Sequence, residues 1–125
     1  FFLSFVLGQV VPQFVDRDDG HIVITSSLTG FRGLPGSIGY TASKAATMSL
    51  AECMYGDLRK TGVRVQVANP GFIKTQLTDK NNFNMPFIMT PEDAAREMFE
   101  LMLTDRFKKS FPTLFSLLFR GEKEK

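Results

Sequence analysis

Apolar positions fall into blocks of different period. Phe1 to Val15 is apolar nearly all round, through Phe2, Leu3, Phe5, Val6, Leu7, Val10, Val11, Phe14 and Val15. That predicts a helix buried on most of its sides, with Pro12 expected to kink or break it. Arg17-Asp18-Asp19-Gly20 reads as a turn. His21 to Ser26 is a β-branched run between a glycine and a serine pair, and predicts a strand covered on both faces, as in a parallel sheet. Ser27 to Gly39 is a glycine-rich loop suited to tight turns and close approach of backbone to a ligand. Tyr40 to Lys60 predicts the main helix, with Met48, Leu50, Ala51, Met54 and Leu58 on its apolar face and Gly62 as its C-cap.

Val63 to Ala68 predicts a second strand, ended by Asn69-Pro70-Gly71. Strand, helix and strand in this order make a βαβ unit, and hence a parallel crossover. Phe72 to Met89 is a long loop with many apolar residues, a length that more often serves function than mere connection. Thr90-Pro91-Glu92-Asp93 opens a helix with an N-cap, a proline at the first position and acids in the first turn. Its apolar positions are Ala94, Ala95, Met98, Phe99, Met102 and Leu103. Arg106 to Phe111 reads as a third strand, and Pro112 to Arg120 as a short apolar segment that closes the core. The simplest organisation is one domain over residues 1–125, with 121–125 as a solvated tail.

Composition narrows the classes. Hydrophobic residues make up 43% and charged ones 22%, which fits a soluble globular domain. A net charge of +2 gives no footing for nucleic-acid binding. One cysteine excludes an internal disulfide, and one histidine beside it makes a zinc site improbable, so the expected compartment is cytoplasmic. The opening apolar block has neither a basic leader nor a cleavage site, and Gln9, Pro12 and Gln13 interrupt it before it is long enough to span a membrane. Phe stands first where Met is usual, so the chain is expected to begin part-way through a longer protein. His21 reads as structural or solvent-facing, Cys53 as a small packed core residue and Tyr55 as packing.

The chemistry lies between Ser27 and Lys44. Tyr40 and Lys44 are four apart, so a helix here puts phenol and ammonium one turn apart on one face. A cation beside a phenol favours the phenolate, and such an oxygen can give or take a proton at an alcohol or ketone. Ser26 and Ser27 are adjacent and point opposite ways in a strand, so only one of them reaches Tyr40. A hydroxyl from Ser27 could hold the same oxygen, which would leave Ser26 as a backbone-bonding or turn residue. Together these residues make a metal-free centre for carbonyl/alcohol redox chemistry.

Three motifs in order resemble the short-chain dehydrogenase/reductase family. They are Ile24-Thr25-Ser26-Ser27-Leu28-Thr29-Gly30, Tyr40-Thr41-Ala42-Ser43-Lys44-Ala45-Ala46, and Asn69-Pro70-Gly71-Phe72-Ile73-Lys74-Thr75. The resemblance covers roughly residues 1–111. It implies an α/β fold, a partial doubly wound Rossmann-like parallel sheet of about three strands with flanking helices. This chain is similar to the C-terminal catalytic half of that fold; the glycine-rich phosphate loop and the Asn-Ala-Gly segment are absent from it. By the resemblance, Tyr40 is the general acid/base, Lys44 holds the nicotinamide ribose, and Ser27 bonds the substrate oxygen. Tyr40, Lys44, Pro70, Gly71, Ile73 and Thr75 would meet NAD or NADP, without a choice between the two, and the loop 72–89 would receive an apolar ketone, aldehyde or alcohol.

Three functions compete. The first is an NAD(P)-dependent oxidoreductase. The second is a non-catalytic fragment that keeps the helices 1–15 and 40–60 through which the family commonly forms homo-oligomers. The third, ranked last, is a peripheral membrane module working through the aromatic stretch 112–120.

Overall fold

A computed structural model describes residues 2–27, 36, 38–71, 73 and 88–111. The elements run α1 (Phe2–Arg17), β1 (Gly20–Thr25), α2 (Ile38–Leu58), β2 (Val63–Pro70), α3 (Pro91–Met102) and β3 (Lys108–Phe111). The three strands form one sheet in the order β1-β2-β3, and both pairings are parallel. This is the expected α/β arrangement of three parallel strands flanked by helices. The segment 112–125 and most of the loops 27–39 and 72–89 lie outside the described residues.

Alternation along β2 divides the core in two. Val63, Val65 and Val67 join Ile22, Ile24, Leu7, Ala51 and Leu58 on the side covered by α1 and α2. Ala68 joins Ala94, Leu101 and Phe111 on the side covered by α3. Gln66, almost sealed from solvent, faces α3 as well. Its Nε2 lies 2.8–2.9 Å from the carbonyls of Leu101, Thr104 and Arg106, and its Oε1 is 2.6 Å from His21 Nε2. One amide thereby binds the end of α3 to two strands, and His21 has the structural role expected of it.

The third strand is tied down from both faces. Lys108 reaches Glu52 of α2 at 3.7 Å, while Lys109 reaches Glu97 at 2.6 Å and Glu100 at 3.3 Å on α3. Partial burial pulls the Lys109 ammonium down. Its bonds to Glu97 and Glu100 and their charge outweigh this, and hold its pKa above the ordinary 10.5. Thr90 caps α3 as predicted, with Oγ1 accepting from the Asp93 amide at 3.2 Å. The buried stripe of that helix is Ala94, half-buried Met98 and Leu101, whereas Phe99, Met102 and Leu103 are exposed. Leu101, absent from the sequence reading, takes their place because 94, 98 and 101 follow the helical period.

Several expectations are corrected. Helix α1 runs through Pro12 without a break, since a proline removes one internal hydrogen bond without forbidding helical φ, so of the two expected effects the break does not occur. Its apolar girdle is not enclosed: of its residues only Leu7 is buried, and Phe2 is 82% exposed. Cys53 is exposed rather than packed, on the outer face of α2. Strand β2 continues two residues past Ala68, to Pro70. Gly62 is not the cap of α2. Thr61 fills that role, its amide and hydroxyl both donating to the Leu58 carbonyl at 3.0 and 2.7 Å. Gly62 instead meets the turn after α1, where Asp18 has φ 52° and its Oδ1 accepts the Gly62 amide at 2.7 Å. A Cβ on Gly62 would lie 1.9 Å from the Asp18 carbonyl oxygen.

Two predictions follow from these contacts. Gly62→Ala should lower stability by about 1–3 kcal/mol in chemical denaturation, because backbone and not a movable side chain fills the space. Lys109→Met should lower Tm by an amount that depends on pH. The folded pKa of Lys109 lies above 10.5, so the stabilisation is fully present below that value and is lost as pH rises through the folded pKa. The Tm gap between wild type and variant should stay constant up to about pH 10 and close above it.

Candidate active site

The candidate residues gather where β1 and β2 end and α2 begins. A parallel pair cannot be closed by a tight turn, so the chain leaves β1 at its C-terminal end and crosses back through a helix. Leu58, at the end of α2, packs with Val63 at the start of β2. The other end of α2, with Tyr40 and Lys44, therefore returns to the C-terminal ends of the strands.

Tyr40 and Lys44 share one helical face as expected, with Lys44 Nζ 5.7 Å from the centroid of the Tyr40 ring. Tyr40 is 54% exposed, so its phenol is open to a ligand. Lys44 is half-buried, and its ammonium also lies 3.5 Å from the Thr25 carbonyl at the end of β1. That contact brings the ammonium within two residues of Ser27. Ser26 and Ser27 are both buried. The Ser26 hydroxyl donates to the backbone carbonyl of Lys44 at 2.9 Å, the backbone-bonding role expected of it. Its amide donates to the Ala68 carbonyl at 2.8 Å, which carries the ladder one residue past β1.

The third motif arrives through β2. Pro70 closes that strand, and the next amide, Gly71, donates to the Phe111 carbonyl at 2.8 Å. Ile73 forms a parallel bridge with Met89, and both lean on the Ala68–Phe111 cluster. Pro70, Gly71 and Ile73 thus stand at the same end of the sheet as Tyr40 and Lys44. Thr75 lies outside the described residues. Among the described residues there is no group of three or more His, Cys, Asp or Glu placed to hold a metal ion.

Sequence reasoning treated Asn69 only as part of a strand-ending turn. The structure makes it an inward-facing strand residue with no exposed surface. Extending the apolar alternation of Val63, Val65 and Val67 by one more step identifies that position.

Comparison with known proteins agrees with the fold. The pattern of the short chain dehydrogenase family matches residues 3–86. An uncharacterized oxidoreductase of Myxococcus xanthus is 48% identical over 106 residues, covering 85% of this chain and 42% of its own length. A short chain dehydrogenase/reductase of Burkholderia phymatum, solved in complex with NAD, superposes with a TM-score of 0.83 at 23% identity, over 98% of this chain and 53% of that one. ElxO with NADP bound superposes with a TM-score of 0.72 at 25% identity, over 86% of this chain and 50% of that one. The chain therefore spans about half or less of the length of these proteins.

The bond from Ser26 to Lys44 gives a direct test of how the helix is seated. Ser26→Ala should cost about 1 kcal/mol in urea denaturation, the typical loss of one buried hydrogen bond. An unchanged midpoint and slope would show that the bond does not hold α2 in place.

Proposed function

The chain belongs to the short chain dehydrogenase family, and from that premise we propose that it supplies the catalytic half of an NAD(P)-dependent oxidoreductase acting on a carbonyl/alcohol pair. The observation that carries this reading is the Lys44 ammonium 5.7 Å from the Tyr40 ring, on a helix end delivered to the C-terminal ends of parallel strands. That edge of an open parallel sheet is where such folds take their ligands.

The donor set fits a nicotinamide riboside. An ammonium has three N–H donors, and the described contacts of Lys44 Nζ are one long bond to Thr25 O and the face of Tyr40. Donors thus remain for ribose hydroxyls. Pro70, Gly71, Ile73 and Thr75 complete the set proposed for the cofactor. When bound, the nicotinamide supplies or accepts the hydride at the substrate carbon. In the reducing direction the Tyr40 phenol gives its proton to the carbonyl oxygen, while the Ser27 hydroxyl donates a hydrogen bond to that oxygen. In the oxidising direction the Tyr40 oxygen takes the alcohol proton. One solved relative holds NAD and another NADP, so both cofactors stay in the proposal, together with an apolar substrate for the loop 72–89.

The uncovered apolar surface supports a larger assembly around this half. Phe2, Phe5 and Ile38 are exposed on α1 and at the start of α2, and among the described residues nothing pairs with the second edge of β1. Helices 1–15 and 40–60 are accordingly proposed as homo-oligomer contacts. A non-catalytic fragment retaining them is the second reading, and the same surface favours it. No helix among the described residues is long and apolar enough to cross a membrane; the segment 112–120, proposed for membrane contact, lies outside those residues.

The decisive experiment uses the full-length protein that carries this chain. Tyr40→Phe should lower kcat for NAD(P)H-dependent carbonyl reduction by about 100- to 10,000-fold, the range expected when a general acid is lost. Lys44→Met should lower it as well and raise the KM for the cofactor. Undiminished turnover in Tyr40→Phe would rule out this assignment of the acid.

A further inference from the structure

The apolar rows that cross the sheet beneath α2 end in a polar row. Ile22 pairs with Val65 and Ile24 with Val67, and all four are buried. Val67 pairs in turn with Lys108, whose ammonium meets Glu52 of α2, so side chains at this register face α2. Two residues further on, Asn69 pairs with Ser110, and alternation returns both to the same face. Ser26 extends β1 to the level of Asn69, and its hydroxyl reaches the α2 backbone at Lys44. Ser26, Asn69 and Ser110 thus form one buried row across three strands.

Above this row lies the sheet-facing stripe of α2, which runs through Leu58, Ala51, Met48, Lys44 and Thr41 at helical spacing. Leu58 packs with Val63 and Lys44 with the end of β1, so Thr41 stands over the C-terminal ends of the strands. The Ser26 hydroxyl is engaged with Lys44. Among the described residues, Thr41 Oγ1, Asn69 Oδ1, Asn69 Nδ2 and Ser110 Oγ are sealed from solvent and make no hydrogen bond. Buried polar atoms in folded proteins are nearly always bonded, and leaving one unmet is costly. Four unmet atoms in one layer call for a shared partner. A carboxamide and two hydroxyls offer donors and acceptors suited to a buried water, which makes two to four hydrogen bonds.

We propose that Thr41, Asn69 and Ser110 form a buried solvent site whose water joins the first turns of α2 to the ends of β2 and β3. The inference rests on the reading of Tyr40 and Lys44 given above, because the turn held in this way is theirs. Thr41 is next to Tyr40 and three residues before Lys44. Ser26 fixes the Lys44 turn directly and the water fixes the Thr41 turn, so the phenol and ammonium are seated by two separate ties to the sheet. Asn69 is then a positioning residue, acting through the water and Thr41.

The test uses the full-length protein. A high-resolution crystal structure should show solvent density within about 2.7–3.2 Å of the Asn69 amide and of the Thr41 or Ser110 hydroxyl. Direct side-chain bonds with no solvent between them would overturn the site. Asn69→Leu should lower kcat about tenfold or more with both KM values changed less than about twofold, because misplacement of the reacting groups costs turnover rather than binding. Unchanged kcat would overturn the positioning role. The variant Thr41→Val/Asn69→Leu/Ser110→Ala should recover at least half of the Tm lost in Asn69→Leu alone, since it leaves no unmet polar atom; strictly additive losses would show that the three do not share one site. If Asn69→Leu does not fold, the Thr41→Val and Ser110→Ala pair supplies the same cycle, with non-additive Tm losses expected. Tyr40→Phe in parallel separates the two ideas. Full activity there defeats the catalytic reading, while density and Tm coupling still decide the solvent site.

Discussion

Parallel pairing of β1 with β2 is the constraint from which the rest follows. Register Ile22↔Val65 and Ile24↔Val67 can be reached only by carrying the chain from one end of the sheet back to the other. The carrier, α2, packs Ala51 and Leu58 on those same residues. A fully buried aliphatic side chain contributes about 1.5–3 kcal/mol, so this layer fixes the helix along its axis. Once it is fixed, the position of Tyr40 and Lys44 is no longer free. The phenol and ammonium stand at the strand ends because the strands are parallel.

The core changes character along the same axis. Near the strand starts, the rows beneath α2 are aliphatic, and their contacts are not directional. Near the strand ends the row becomes Ser26, Asn69 and Ser110, and hydrogen bonds are directional. The bond from Ser26 to the Lys44 carbonyl determines where one turn of the helix sits, in a way that another valine could not. Stability is thus concentrated at one end of the layer and precision at the other. The end with precision carries the candidate chemistry.

Legibility in the sequence followed the same division. What depends on local spacing was readable. The Tyr40–Lys44 face needs only the helical period, the Thr90 cap needs only four residues, and the strand-helix-strand order needs only the change of period from two to 3.6. What depends on register was not readable. Gly62 looked like a helix cap, because nothing nearby in sequence says that the Asp18 backbone will lie against it. Cys53 looked like core, because its small apolar character does not say which side of α2 it occupies. Asn69 looked like the start of a turn, since its burial is set by β3 and α2, elements on either side of it in the chain. Ser27 and Tyr40 are intermediate cases: the motif spacing identified them, and only the fold shows why a buried hydroxyl and an exposed phenol share one end of the sheet.

The exposed face of α1 bears on how firmly that end is held. Leu3 and Ser4 of α1 line a cavity of about 290 Å³ with Ser43, Ala46, Thr47 and Leu50 of α2. Tyr40 and Lys44 lie on the turns next to it. Van der Waals contact is lost across a gap of this kind, because the lining atoms have no partners on one side. The sheet side of α2 is supported by valines, isoleucines and the Ser26 bond, while its other side is supported only in part. Cover over Phe2, Phe5 and Ile38 would act on the candidate site without touching it, by pressing α1 onto α2 and closing the space behind the turn of Tyr40 and Lys44. A substitution that fills the cavity from within, such as Ala46→Leu, would replace part of that support.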